Sequence, residues 1–111
     1  MVLRIGSLAL GLGLLATAAS AQESTIARGE KVYAAQKCSI CHSIGGAGNK
    51  KGPLDAVGAK LSADDIRRWI VDAPGMAVKA KAERKPAMKA YTSLPSDDLE
   101  ALVAYLANLK K

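Results

Sequence analysis

Cys38-Ser39-Ile40-Cys41-His42 gathers both cysteines and the sole histidine of a 111-residue chain into five positions. A C-x-x-C-H run of this kind is a haem c attachment signature, and its spacing has a chemical reason. Two thiols two residues apart at the end of a helix can each add to a vinyl group on one porphyrin edge. The adjacent imidazole then falls beneath the iron. Neutral imidazole is a good iron ligand, and covalent attachment prevents loss of the cofactor in an extracytoplasmic space.

Other chemistries use the same residues less well. A thioredoxin-like C-x-x-C needs a βαβ context, and the sequence shows none. A structural zinc site needs four protein ligands, whereas Cys38, Cys41 and His42 supply three. A bare disulfide leaves the core unexplained: the chain has no Phe, one Trp and three Tyr. A domain of about 90 residues is near the lower end of what an apolar core alone supports. A large covalent cofactor would supply the missing centre.

Upstream of the motif, residues 1–21 read as a signal peptide, with basic Arg4, an apolar stretch from Ile5 to about Ala19, and Ala19-Ser20-Ala21 as an A-x-A site. The apolar stretch falls short of the roughly 20 residues that span a bilayer. Cleavage after Ala21, export to the periplasm and no stable membrane span thereafter are expected. The charge then falls from +6 to +5 by loss of Arg4, leaving a basic domain over residues 22–111.

Three helices follow from pattern. The first is expected from Ser24 or Thr25 to Lys37, with Ile26, Gly29 and Tyr33 on one face. Gly29 costs about 1 kcal/mol relative to Ala inside a helix, which suggests close approach of another backbone. The second starts at Ser62, with Asp65 three residues on, and runs to about Asp72, where Ala73-Pro74-Gly75 should stop it. The third carries Leu99, Leu102, Val103 and Leu106 at helical spacing. Acids lie at its start and Lys110-Lys111 at its end, and either Ser96 caps it or Pro95 occupies its first turn. Residues 43–60 and 74–95 read as irregular, with a short helix within 77–85. No strand-length alternation is present, so the fold class is all-α.

One histidine cannot supply two axial ligands. Methionine is the natural complement, since a thioether favours ferrous iron. After signal removal two remain, Met76 and Met88, and the residues alone leave both open.

The order and spacing of these features resemble a small class I c-type cytochrome over the whole mature chain. The resemblance is carried by Gly29 and Tyr33 before the motif, Gly52-Pro53-Leu54 after it, Pro86-Ala87-Met88-Lys89-Ala90-Tyr91, and Leu99 to Leu106. It implies a cytochrome c fold, three main helices plus short helical segments wrapped around one covalent haem c. It implies that Gly29 and Tyr33 cross Leu102 and Tyr105, that the Pro53 carbonyl accepts from the second nitrogen of His42, and that Met88 is the other axial ligand. Lys89 stands where many relatives have Pro. Trp69 packs near haem or bonds a propionate in such proteins, or is ordinary core.

With His42 and Met88 both on iron, no position is open for substrate, and no hydrolytic constellation accompanies the site, so an electron carrier rather than an enzyme is expected. Lys79, Lys81, Arg84, Lys85 and Lys89, with Lys50-Lys51, offer a basic surface for acidic redox partners. The resemblance implies a quinol-oxidising complex or dehydrogenase as donor and a terminal oxidase or reductase as acceptor. Nucleic acid is not an expected partner. A haem c subunit of a multi-subunit periplasmic oxidoreductase is the alternative, and a ligand-binding or peroxidatic protein would require Met88 to leave iron.

Overall fold

The computed structural model describes residues 6–111, with side chains from residue 20. The basic start of the signal segment, Arg4 included, lies outside the described residues. Five helices follow in chain order: α1 (Gly6–Ala35), α2 (Val57–Lys60), α3 (Ala63–Val71), α4 (Ala73–Ala80) and α5 (Ser96–Ala107). A 3-10 turn spans Cys38–Ile40, and two-residue strands β1 (Ser43–Ile44) and β2 (Ala47–Gly48) pair antiparallel. The all-α expectation holds, with that hairpin as its one addition. Gly45 and Gly46 both take positive φ, 60° and 82°. That is the twist a two-residue hairpin loop requires.

Helix α1 begins well before Ser24, because nothing in the Leu- and Ala-rich segment breaks a helix. The expected boundary after Ala21 therefore falls inside a helix. Thr25 does not cap; its hydroxyl donates to the Ala21 carbonyl at 2.9 Å. The helix ends at Ala35, two residues before the expected end, because Lys37 adopts a left-handed conformation (φ 58°) and turns the chain into Cys38.

Ser62 caps α3 as expected, accepting from the Asp65 backbone N–H at 3.1 Å. The residues expected to end helical structure instead open α4. Asp72 leaves helical geometry, and its carboxylate accepts from Gly75 N–H at 3.2 Å, capping the next helix. Pro74 lies in the first turn, where its missing N–H costs nothing. The short helix expected within 77–85 is thus α4, displaced toward the N-terminus. At α5 Pro95 is the cap residue without a side-chain bond, and Ser96 is the first helical residue. Neither expected arrangement holds.

The principal packing is α1 against α5. Gly29 is buried, and a Cβ there would collide with the Ala101 carbonyl oxygen and with Cβ of Tyr105. Its helix penalty is offset by letting α5 approach the α1 backbone. Tyr33 meets Tyr105 edge-on at 5.9 Å between ring centroids. The crossing thus pairs Gly29 with Ala101 and Tyr105, while Leu102 sits one step into the core. That core is Val32, Tyr33, Ile66, Ile70, Leu102, Val103 and Leu106. Arg28 bridges Asp98 at 2.8 Å across the same crossing, and Arg67 joins Glu100 at 2.6 Å between α3 and α5.

Candidate haem attachment site

The motif follows the left-handed Lys37 as a tight 3-10 turn. Its backbone is internally closed: Cys41 and His42 N–H both reach the Cys38 carbonyl, at 3.1 and 2.9 Å. The carbonyls that this turn leaves over are claimed from two other segments. Asn49 N–H is shared between the Ser39 and His42 carbonyls at 3.0 and 2.9 Å, and Asn49 Nδ2 donates to the Ile40 carbonyl at 3.1 Å. Arg84 Nη2 donates to the Cys41 carbonyl at 2.6 Å. The four carbonyls of residues 39–42 are all satisfied, so the turn is held from both sides. Asn49 reaches it because Gly48, at φ 106°, bends the chain where a Cβ would strike the His42 carbonyl.

His42 is half-buried, and its Nδ1 faces the Gly52 carbonyl at 3.1 Å. The expected acceptor was Pro53. The partner lies one residue earlier because Ser43 and Pro53 form a parallel bridge, in which Ser43 N–H also donates to the Gly52 carbonyl at 3.0 Å. Pro53 itself is exposed. With Nδ1 donating, the lone pair lies on Nε2, the nitrogen left for a metal. Burial pushes the His42 pKa down, opposed by the Gly52 bond and assisted by the Arg84 charge. The shift favours the neutral imidazole.

Cys38 and Cys41 are half-buried free thiols, and burial raises the Cys38 pKa. Tyr91 lies close enough to both to feel their charge, and its own phenol is pushed up chiefly by burial. The Tyr91 N–H donates to the Ile70 carbonyl at 2.8 Å, which ties the segment after Met88 to α3. Met88 in that segment and Met76 on α4 are both half-buried. Trp69 is half-buried on α3, outside the cluster that takes in Ile66 and Ile70.

The residues present fit a haem. Among the described residues no large side chain is fully buried, and a rim of half-buried apolar residues surrounds the small core, among them Cys38, Leu54, Val71, Tyr91 and Leu94. Such a rim is what a flat apolar group would cover. The donor set does not suit structural zinc, since among the described residues no three or more His, Cys, Asp or Glu side chains are placed to hold a metal ion.

Comparison with known families matches the Cytochrome c family over residues 26–110. The chain is a member of the cytochrome c family. The class I reading and the all-α cytochrome c fold follow, with haem-based electron transfer as the family's chemistry and covalent haem c as its cofactor. A curated relative is cytochrome c oxidase subunit 2 of Alkalihalophilus pseudofirmus, 28% identical over 107 aligned positions that cover 88% of this chain. The chain spans only 30% of that relative's length. No solved structure matches. Among the described residues no helix is long and apolar enough to cross a membrane.

Sequence reasoning missed Asn49 and the role of Arg84. Asn49 carried no signal beyond its place in a Gly-rich turn. Arg84 read as one of several exposed cations, and its reach to Cys41 across 43 positions leaves no local trace.

Proposed function

We propose that this cytochrome is an exported one-electron carrier holding a single haem c on Cys38 and Cys41, with His42 and Met88 as axial ligands. The observation that carries this reading is the orientation of His42, whose Nδ1 donates to the Gly52 carbonyl and so leaves Nε2 for iron, in a motif whose two thiols are both free. The bound group supplies a reversible Fe(II)/Fe(III) couple. The protein's part is to fix the imidazole, exclude water with the apolar rim and close the second face with Met88, so that electrons pass without substrate binding.

Met88 is favoured over Met76 because it lies on the irregular segment before α5, fastened at Tyr91 to α3, where the resemblance puts the ligand. Met76 is held on a regular helix. Trp69 remains a residue that lines haem or bonds a propionate. Lys79, Lys81, Lys85 and Lys89 are exposed, and Arg84 sits against Gly52, which brings this stretch beside Lys50-Lys51. The resulting basic side suits acidic partners, with a quinol-oxidising complex or dehydrogenase as donor and a terminal oxidase or reductase as acceptor. Export to the periplasm with cleavage after Ala21 completes the reading, and a mature N-terminus at Gln22 is its check.

The test is the ferric absorption spectrum of matured wild type, Met88→Ala and Met76→Ala. Loss of the methionine-to-iron charge-transfer band in Met88→Ala alone is expected, and its loss in Met76→Ala alone refutes the assignment. The relative named above supports a second reading, a haem c subunit of a larger periplasmic oxidoreductase. Co-purification with a stable partner at stoichiometric yield favours that reading over a free carrier.

A further inference from the structure

The segment between α4 and Met88 sends one side chain back to the attachment motif. Arg84 Nη2 bonds the Cys41 carbonyl at 2.6 Å, next to the residue that presents the imidazole. Its guanidinium occupies the place a side chain at position 52 would take: a Cβ there would collide with Arg84 Nη1 and with the Cys41 carbonyl oxygen. Gly52 is not among the glycines with positive φ, so close approach, not backbone conformation, requires a glycine. The carbonyl of this same Gly52 holds Nδ1 of His42. A guanidinium is thus built into the hydrogen-bond framework of the imidazole.

We infer that Arg84 is a positioning residue for the haem iron: it fastens the segment leading to Met88 onto the attachment motif, and its charge beside His42 favours ferrous over ferric iron. The inference rests on the haem reading above. The sign follows from Coulomb's law. Oxidation adds one positive charge at iron as the electron leaves for the partner, and a neighbouring cation opposes that step. The Gly52 carbonyl, by accepting from Nδ1, raises the basicity of the ring and works in the opposite direction, so the Arg84 charge is what the neutral variant removes. Arg84 is solvent-exposed, so salt screens part of the effect.

Potentiometric titration of matured holoprotein tests this, comparing wild type with Arg84→Gln and Arg84→Lys. In Arg84→Gln the Fe(III)/Fe(II) ratio at a fixed poise should rise several-fold, a tenfold change being about 59 mV for one electron. Arg84→Lys keeps the charge and should recover most of the shift. The methionine-to-iron band should also disappear at lower denaturant in Arg84→Gln than in wild type. If Arg84→Gln does not mature, Arg84→Met poses the same question. An unchanged potential in the neutral variant, or equal shifts in the lysine and neutral variants, overturns the inference. Either result would come with covalent haem in place, whereas failure of the haem reading itself shows as wild type without covalent haem.

Discussion

Replacing Gly29 with alanine sets two effects of opposite sign against each other. Ala is the better helix former, by about 0.5–1 kcal/mol in a helix interior. The added Cβ, however, would lie inside the contact distance of the Ala101 carbonyl and of Tyr105 Cβ. These are a backbone group and the root of a side chain, and neither can swing away. Relief requires α5 to move off α1, at the buried centre where Ala101, Leu102 and Val103 are each 2% exposed. Overpacking of this kind costs about 1–3 kcal/mol, and a gap of half an ångström or more forfeits a quarter or more of the contact energy along the interface. The net loss is about 1–2 kcal/mol, or roughly 5–15 °C in Tm for a domain of this size. Thermal unfolding followed by far-UV circular dichroism measures it. Ala27→Gly, on the exposed side of the same helix, reports the propensity effect alone. A Gly29→Ala protein as stable as wild type, or more so, would refute the close crossing.

Ser62→Ala removes the cap of α3 and should cost about 1 kcal/mol, read as a Tm loss of several degrees with the haem spectrum unchanged. Tyr33→Phe should be neutral or stabilising, because the buried Tyr33 hydroxyl has no partner among the described residues, and burial pushes its pKa up to about 12. The Arg67 bond holds the Glu100 carboxyl below the usual carboxylate range. A depressed acid stabilises the fold above its unfolded pKa and loses that contribution as pH falls through the folded one. Glu100→Gln should therefore lower Tm slightly at neutral pH, and the difference from wild type should close on acidification below the ordinary carboxylate range. Asn49→Ala should lower the yield of matured haem protein, measured by haem stain against total protein, since it frees the Ile40 carbonyl and the Lys51 N–H while keeping the backbone bonds to Ser39 and His42.

The helices were legible where periodicity and capping agreed. Leu102, Val103 and Leu106 face the core as their spacing requires, and Ser62 caps as its position before Asp65 suggests. Gly29 announced a close crossing because a glycine inside a helix needs a reason, and the Ala101 backbone is that reason. Boundaries were read less well. Pro74 and Gly75 are stop signals in isolation, yet Asp72 supplies a cap that turns them into a start. The attachment motif was legible as chemistry but its support was not. Asn49, Gly52 and Arg84 act through backbone carbonyls, and such contacts impose no periodicity and no residue type that a single sequence displays. The His42 acceptor shows the limit well: the resemblance pointed to Pro53, and the register of the Ser43–Pro53 bridge presents the carbonyl of Gly52 instead.

The central claim is one haem held covalently through both thiols, and the intact mass of the matured, denatured protein tests it most directly. The account predicts a single species heavier than the polypeptide by one haem, whose haem resists acidic organic extraction and becomes extractable in the Cys38→Ser, Cys41→Ser double variant. A polypeptide mass lower by two hydrogens, with Cys38 and Cys41 joined in a disulfide and no haem retained, would contradict it.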